Sequence, residues 1–336
     1  MEIVHEINQL DFGGAERIIR NIVKFDSKNK HTVVAYKDGP FRKSLEDAGA
    51  RVIVATVEEP EIDADIIHVH SGGAVSVMAT QLGKAFPVVE TIHSPIRSPM
   101  GQDIIRRRVG VCNAVTEMND NCETILNGID CESNVTRDRD DVRSSLGINP
   151  DALVVGRLGR IGQDKGLEDW LLTCYRLQKL GYDFIPVIVG GEASGLNGAY
   201  IGRLKLMAAS LPVKNIVWVG HKEDVHNYLQ IMDIFLYPSP TEGFGLVFAE
   251  AMLNNCTVVT YKTPVTEELL SGYAILTEKS IDGLVAGMKK ALNPDMRDAY
   301  AGIVSNFVQS EYSAERMSLD YQELYERCNG HINGKS

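Results

Sequence analysis

Short apolar runs alternate with amphipathic stretches along most of the chain, and the alternation predicts strands separated by helices. In the first half the runs Ile3–Ile7, Thr32–Tyr36, Arg51–Ala55, Ile66–His70, Val88–Ile92 and Val111–Thr116 predict strands. Between them, Ala15–Phe25, Phe41–Ala48, Ala74–Lys84 and Ile104–Arg108 predict helices. The theme repeats with strands over Leu153–Leu158, Phe184–Val189, Ile216–Val219, Ile234–Tyr237 and Thr257–Thr260. The intervening helices are Leu167–Leu180, Ile201–Ser210, Val225–Ile231 and Leu246–Leu253, followed by Asp282–Leu292, Met296–Gln309 and Ala314–Cys328. Strands separated by helices imply parallel sheets covered on both faces. The expected fold class is therefore α/β, with two tandem Rossmann-like, doubly wound domains. Arg137–Pro150, rich in charge and turn residues, marks the linker.

The totals agree with this division. At about 150 residues per domain, 336 residues hold two ordinary domains. A hydrophobic fraction of 44% and a charged fraction of 24% belong to a soluble globular chain. The net charge of −11 argues against nucleic acid as a partner and weakens attachment to an anionic membrane. No apolar run approaches the ~20 residues that a membrane span needs. Met1-Glu2-Ile3-Val4-His5 runs straight into a strand without a signal peptide, and the six cysteines show no Cys-x-x-Cys pair. The expectation is a cytoplasmic protein with reduced thiols, at most peripheral at the inner membrane face.

Chemistry concentrates at the ends of predicted strands, where open α/β sheets bind ligands. After Ile234–Tyr237, Pro238 and Pro240 end the strand, and Gly243 and Gly245 let the backbone turn sharply into a helix beginning at Leu246. The free N–H groups at that helix start favour an anion. Glu242 lies just before the start and Glu250 about two turns in, on the order of 9 Å away. That separation is too long for a shared proton but suits the two ends of a long polar ligand such as a nucleotide sugar. A diphosphate calls for cations and backbone N–H groups, and Val154-Val155-Gly156-Arg157-Leu158-Gly159-Arg160-Ile161-Gly162-Gln163-Asp164-Lys165-Gly166 supplies both. Arg160 and Lys165 stand before the next helix, with Arg157 as a competing candidate. Asp11-Phe12-Gly13-Gly14-Ala15-Glu16-Arg17 follows the first strand, and its paired glycines allow close approach to a phosphate. It lacks the Gly-x-Gly-x-x-Gly of dinucleotide sites, which counts against an NAD enzyme.

Together these segments resemble the retaining glycosyltransferases of the GT-B fold, family 4 (glycosyltransferases group 1) type. Glu242 and Glu250 match the spacing of that family's two-Glu motif, Arg160 and Lys165 its diphosphate-binding pair, and Gly13-Gly14-Ala15-Glu16-Arg17 its first-domain loop. The resemblance implies that Glu242 contacts the donor sugar and Glu250 the ribose. It places the Gly13-Gly14 loop over the donor phosphates and the acceptor. Gly190, in Val189-Gly190-Gly191-Glu192, and the Val219–Asp224 segment occupy loops that meet the nucleotide. Gly243, Phe244, Gly245 and Leu246 complete the nucleotide-sugar set. His93, ending a strand, resembles the family's cleft histidine near the anomeric centre. His70 is expected near the acceptor, with His68 on the opposite face. Asn127-Gly128-Ile129-Asp130 resembles the family's hinge element, or is a plain turn. Leu253-Asn254-Asn255-Cys256-Thr257 departs from the family's turn after the helix.

The resemblance implies domains at 1–145 (acceptor side) and 146–310 (donor side), facing across a cleft, with 311–336 a helix crossing back to the first. The expected activity is transfer of a sugar from a nucleotide diphosphate sugar, UDP favoured over GDP, to an acceptor hydroxyl with retention. The acceptor would be a glycan, a lipid-linked sugar or a small molecule. His93, Glu242, Arg160 and Lys165 would carry the chemistry. No cofactor or metal is expected: Asp63-Ala64-Asp65 precedes a strand and Asp138-Arg139-Asp140 lies in the linker, away from any phosphate. Arg106-Arg107-Arg108 is read as a solvated helix face, with a phosphate-bearing lipid as the other use. The rival functions are a sugar-nucleotide epimerase on the same architecture and a non-catalytic nucleotide-sugar-binding subunit.

Overall fold

The computed structural model describes residues 1–55, 63–71, 85–99, 104–132, 135–192 and 198–330. The chain divides into two compact units, Met1–Asp130 together with the chain from Glu311, and Cys131–Ser310. Each is built on one parallel sheet.

The first unit runs β1 (Glu2–Gln9), α1 (Gly14–Phe25), β2 (Lys30–Lys37), α2 (Arg42–Asp47), β3 (Arg51–Val54), β4 (Ile66–Ser71), β5 (Val88–Ile92), β6 (Arg107–Gly110), α3 (Asn113–Thr116) and β7 (Cys122–Thr124). The strand order is β3-β2-β1-β4-β5-β6-β7. The buried strand centres and the apolar face of α1, with Ile18, Ile19 and Ile22 fully enclosed, make the core. The last helix of the chain, α12 (Ala314–Gly330), belongs to this unit: Ser318 donates to the Ile22 carbonyl and Arg316 to that of Leu126. Gly128 lies where a Cβ would stand 2.2 Å from the Ser313 carbonyl oxygen, so the Asn127–Asp130 segment packs directly on the start of α12.

Three expectations fail here. Ile104–Arg108 is a turn leading into β6, because Arg108 enters the sheet beside Glu90 of β5 and its Nε donates to Glu90 Oε2 at 3.1 Å. Arg106-Arg107-Arg108 is therefore no helix face. Val111–Thr116 is no strand: the chain turns at Cys112 and α3 folds back over Gly110, where a Cβ would meet Thr116 Oγ1 at 2.3 Å. His68 and His70 share a face, as strand positions two apart must, and their rings lie 4.0 Å apart. The predicted helix Ala74–Lys84 lies outside the described residues.

The second unit runs α4 (Arg139–Ser145), β8 (Val154–Leu158), a 3-10 turn (Gln163–Lys165), α5 (Leu167–Lys179), β9 (Ile185–Val189), α6 (Ala199–Ser210), β10 (Val217–Gly220), α7 (Val225–Leu229), β11 (Ile234–Tyr237), α8 (Leu246–Leu253), β12 (Thr257–Tyr261), α9 (Pro264–Leu270), β13 (Ile275–Thr277), α10 (Ile281–Ala291) and α11 (Pro294–Glu311). Its sheet order is β10-β9-β8-β11-β12-β13. Trp170 and Leu171 of α5 pack with Val155, Ile188 and Leu236 of the sheet. Helix α9, missed by periodicity, carries a legible start: Thr263 caps it and Pro264 takes the first turn. Two tandem Rossmann-like parallel sheets match the expected GT-B fold. No helix among the described residues is long and apolar enough to cross a membrane, and all six cysteines are free thiols.

The charged stretch expected as linker packs into the second unit. Thr136 and Arg137 donate backbone N–H groups to Asn227 Oδ1, and Arg139 and Arg143 both reach Asp233 at 3.1 Å. Arg143 is 1% exposed and donates further to the carbonyls of Pro150, Ala152 and Ile231. Asp233 also accepts from the Val154 N–H, which starts β8. Asp233→Ala is expected to destabilise the unit by about 3 kcal/mol, because it leaves the Arg143 charge buried without its carboxylate. Arg139→Ala, removing the exposed member, should cost less than about 1 kcal/mol. Urea denaturation of both variants checks the contrast, and equal losses would contradict it.

Candidate active site

In the second unit the strand order reverses between β8 and β11, whose connections leave in opposite directions. Such a switch point opens a crevice at the C-terminal strand edge. The loops after β8, β9 and β11 all arrive there, held close by glycine. A Cβ on Gly166 would stand 1.9 Å from the Pro238 carbonyl oxygen, and one on Gly190 would stand 2.0 Å from that of Gly159. Both glycines have positive φ, so any side chain would also strain the backbone. The Gly190 N–H donates to the Gly220 carbonyl, which brings the loop after β10 alongside.

Across this point Lys165 Nζ lies 2.8 Å from Glu242 Oε1, with side chains only 16% and 13% exposed. Burial works against the Lys165 charge, but the Glu242 carboxylate, with Tyr237 and Asp164, outweighs it and raises the ammonium above its ordinary value. Asp164, which sequence reading passed over, lies 3.6 Å from Lys165 and accepts from Arg160 at 2.6 Å. A carboxylate four residues after Arg160 in the same loop was the available signal. Glu250 is buried in α8 at 1% exposure. Phe244 and Leu246 bury their side chains, so what they can offer a ligand is the backbone at the start of α8. Arg157, the competing cation, is fully buried in β8 with its guanidinium 5.0 Å from the Tyr237 ring centre. Its charge acts on the site at a distance, while Arg160 and Lys165 stand in the loop.

The first unit holds groups of a different kind. The Gly13-Gly14 loop ends β1 and starts α1, and a Cβ on Gly13 would meet Glu16 Oε2 at 2.2 Å. Burial pushes the Glu16 carboxyl up to about 7. His93, just beyond β5, is hydrogen-bonded through Nε2 to His70 Nδ1 at 3.0 Å. His70 Nε2 meets His5 Nδ1 at 3.0 Å, and His5 Nε2 meets His31 Nδ1 at 2.9 Å. His31 Nε2 lies 3.2 Å from Asp26 Oδ2, off the line of an ideal hydrogen bond. His5, His31 and Asp26 were not foreseen, because three separate elements bring them together. His68 stands aside, with Nδ1 on the Tyr325 hydroxyl and Nε2 on Thr91. His5, His68 and His70 bring three nitrogens within 4.8 Å, a spacing a metal could use. Those nitrogens are engaged in the hydrogen bonds just given. Asp65 of the first Asp-x-Asp accepts from the Glu2 N–H, and Asp138 of the second caps α4.

Residues 138–302, most of the second unit, match the family model Glycosyl transferases group 1. The chain is 28% identical over 208 residues to the lipopolysaccharide 1,2-N-acetylglucosaminetransferase of Salmonella typhimurium, covering 59% of this chain and 55% of that protein. It is 30% identical over 150 residues to the lipopolysaccharide core biosynthesis mannosyltransferase LpsB of Rhizobium meliloti, covering 44% and 42%. The matched stretches thus span about half the length of these relatives. Among solved structures, Anabaena HepE in complex with UDP and glucose superposes with a TM-score of 0.83 at 20% identity, covering 96% of this chain and 99% of that one. A glycosyltransferase from Rickettsia africae superposes with a TM-score of 0.82 at 17% identity, covering 97% and 98%.

The titrating groups of the first unit set an acid limit on its stability. Desolvation lowers His5, His68 and His70 well below 6.5 and His93 to about 4. The folded rings stay neutral where the unfolded chain takes up protons. Their contribution is therefore complete above about pH 6.5 and is lost as pH falls towards 4, by up to about 1.4 kcal/mol per pH unit for each proton. Glu16 acts oppositely, since its penalty for ionisation is full above pH 7 and vanishes by about pH 4.5. Thermal melts should show stability falling steeply below pH 6.5. Glu16→Gln should be more stable than the unsubstituted chain at pH 8, by up to about 3 kcal/mol, with no advantage at pH 4.5. A flat profile between pH 7 and 5 would contradict the buried-histidine account.

Proposed function

We propose that this chain, whose second unit is a group 1 glycosyltransferase domain, transfers a sugar from a nucleotide diphosphate sugar to an acceptor hydroxyl, with retention at the anomeric carbon. The observation that carries the reading is the Lys165–Glu242 pair across the β8/β11 switch point, with Arg160 beside it and Glu250 in the adjoining helix. Both loop cations now rest on carboxylates, Arg160 on Asp164 and Lys165 on Glu242. A diphosphate would exchange for those partners, and Arg160, Lys165 and the N–H groups at the start of α8 would stabilise the charge that grows as it departs. Freed from Lys165, Glu242 would hold the sugar hydroxyls, and Glu250 the ribose. These two carboxylates are given binding roles, so no covalent sugar intermediate is invoked and a departing phosphate oxygen would take the acceptor proton.

UDP is the base we favour, supported by the UDP complex of the HepE structure. Acceptors in glycan or lipopolysaccharide-type biosynthesis are supported by the named relatives. We propose that the reaction needs no metal or other cofactor, because Arg160 and Lys165 can meet the diphosphate themselves. His93 is kept as the residue of the first unit that meets donor hydroxyls. The protein would work in the cytoplasm, with at most peripheral contact at a membrane.

A thermal-shift panel with UDP-, GDP-, ADP- and TDP-sugars tests the donor site. A donor at a hundredfold its dissociation constant should stabilise by about 2.7 kcal/mol. The shift should disappear in Glu250→Ala, and in Arg160→Met, which alters an exposed loop and leaves the core intact. No shift with any donor would remove the proposal's foundation. Turnover of the sugar nucleotide without any acceptor would favour the epimerase instead. The anomeric configuration of the product by NMR decides retention, and inversion would overturn it.

A further inference from the structure

The line Asp26–His31–His5–His70–His93 connects a carboxylate to the candidate site histidine through three ring-to-ring hydrogen bonds. A neutral imidazole has one N–H and one lone pair, so the proton position on one ring dictates the next. Asp26 sets the direction. Its Oδ1 accepts from the Lys28 and Asn29 N–H groups, and its Oδ2 accepts from the Asn29 amide. It is an acceptor only, and a bare His31 Nε2 facing it at 3.2 Å would set two lone pairs against each other. His31 therefore carries a proton on Nε2 and, as a neutral imidazole, accepts on Nδ1. His5 must then donate from Nε2, His70 from its own Nε2 to His5 Nδ1, and His93 from Nε2 to His70 Nδ1.

We propose that Asp26, acting through His31, His5 and His70, fixes His93 as the Nε2–H tautomer, so that His93 presents Nδ1 as an obligate hydrogen-bond acceptor. Its ligand is then a donor group such as a sugar hydroxyl, and an ionised phosphate or a carbonyl oxygen at that nitrogen is rejected. The four linking groups are positioning residues. The identity of the ligand rests on the reading of His93 given above; the tautomer does not. Burial supports the scheme independently, since His5, His70 and His93 are all held in the neutral form by desolvation. On the carboxylate side, burial opposes the Asp26 charge, but His31, Asn29 and the Lys28 N–H outweigh it and lower the group to about 2. His68, beside the line, spends both nitrogens on Tyr325 and Thr91 and does not interrupt it.

Long-range proton–nitrogen NMR of the full chain, labelled with 15N-histidine, reads each tautomer directly. His93→Gln identifies the His93 signals by their loss. The expected spectrum has a pyridine-like Nδ1 and a pyrrole-like Nε2 on His93, His70, His5 and His31. Asp26→Asn gives His31 a partner that can also donate, so the line can run either way and both His93 nitrogens should shift to intermediate values. In the same variant the affinity for the sugar nucleotide should fall about fivefold, the equivalent of one ordinary hydrogen bond, while that for free UDP is unchanged. A pyrrole-like His93 Nδ1 in the unsubstituted chain overturns the proposal, whether or not Asp26→Asn folds. An unmoved tautomer in folded Asp26→Asn, or equal weakening of UDP and sugar nucleotide, also overturns it. Donor binding with the wrong tautomer sinks the relay alone. The right tautomer without binding of any donor sinks the sugar reading and leaves the relay standing.

Discussion

The pairing of Lys165 with Glu242 is the interaction on which the candidate site depends. It joins two loops that leave neighbouring strands, β8 and β11, in opposite directions, and so spans the place where a doubly wound sheet opens. Either charge alone, at that degree of burial, would be costly. Together they are stable, and an anionic ligand group could replace the carboxylate on Lys165 and leave Glu242 to accept from ligand hydroxyls. The backbone makes the approach possible: Gly166 against Pro238 and Gly190 against Gly159 leave no room for a Cβ. Charge, glycine and topology are thus one arrangement seen at three scales.

The first unit solves the problem of buried polarity differently. Its histidines are not offset by a ring of carboxylates. Burial keeps His5, His68, His70 and His93 neutral, and His5 and His70 each bond a ring on either side, in a line whose far ring, His31, faces Asp26. Such a line costs little only if every proton is in its place, and so it transmits direction. It also makes this unit sensitive to acid, because the same rings would bind protons readily once unfolded. The second unit carries its charge at the ligand edge, and the first carries polarity inside its sheet.

The terminal segments show how sequence position and structural membership part. Helix α12, last in the chain, rests on α1 through Ser318 and the Ile22 carbonyl, while the charged stretch near residue 140 joins the second unit through Asp233. Neither attachment has a local signature. A charged run reads as solvent-facing, and only the arrival of Asp233 from ninety residues further on turns Arg143 into a buried anchor.

Most strands and helices were legible because apolar periodicity reports burial directly, and Val88–Ile92, Ile234–Tyr237 and Leu246–Leu253 carried it cleanly. The same reading failed at Arg107–Gly110, where a buried Arg108 imitates a surface residue until Glu90 is seen beside it. It failed at His68, although the strand period of two was sufficient to place that ring beside His70. For the candidate site, Glu242, Arg160 and Lys165 were legible as charges at glycine-rich strand ends, and Glu250 by its spacing into the helix that follows, because both signals are local. The sequence by itself determined the α/β class, the glycine turns and the stock of charged groups, all of which follow from neighbouring residues. Tertiary structure alone decided that Lys165 meets Glu242 and that Asp26 reaches His93 through three rings. Each of those depends on sheet order and register, which bring together atoms that the chain keeps far apart.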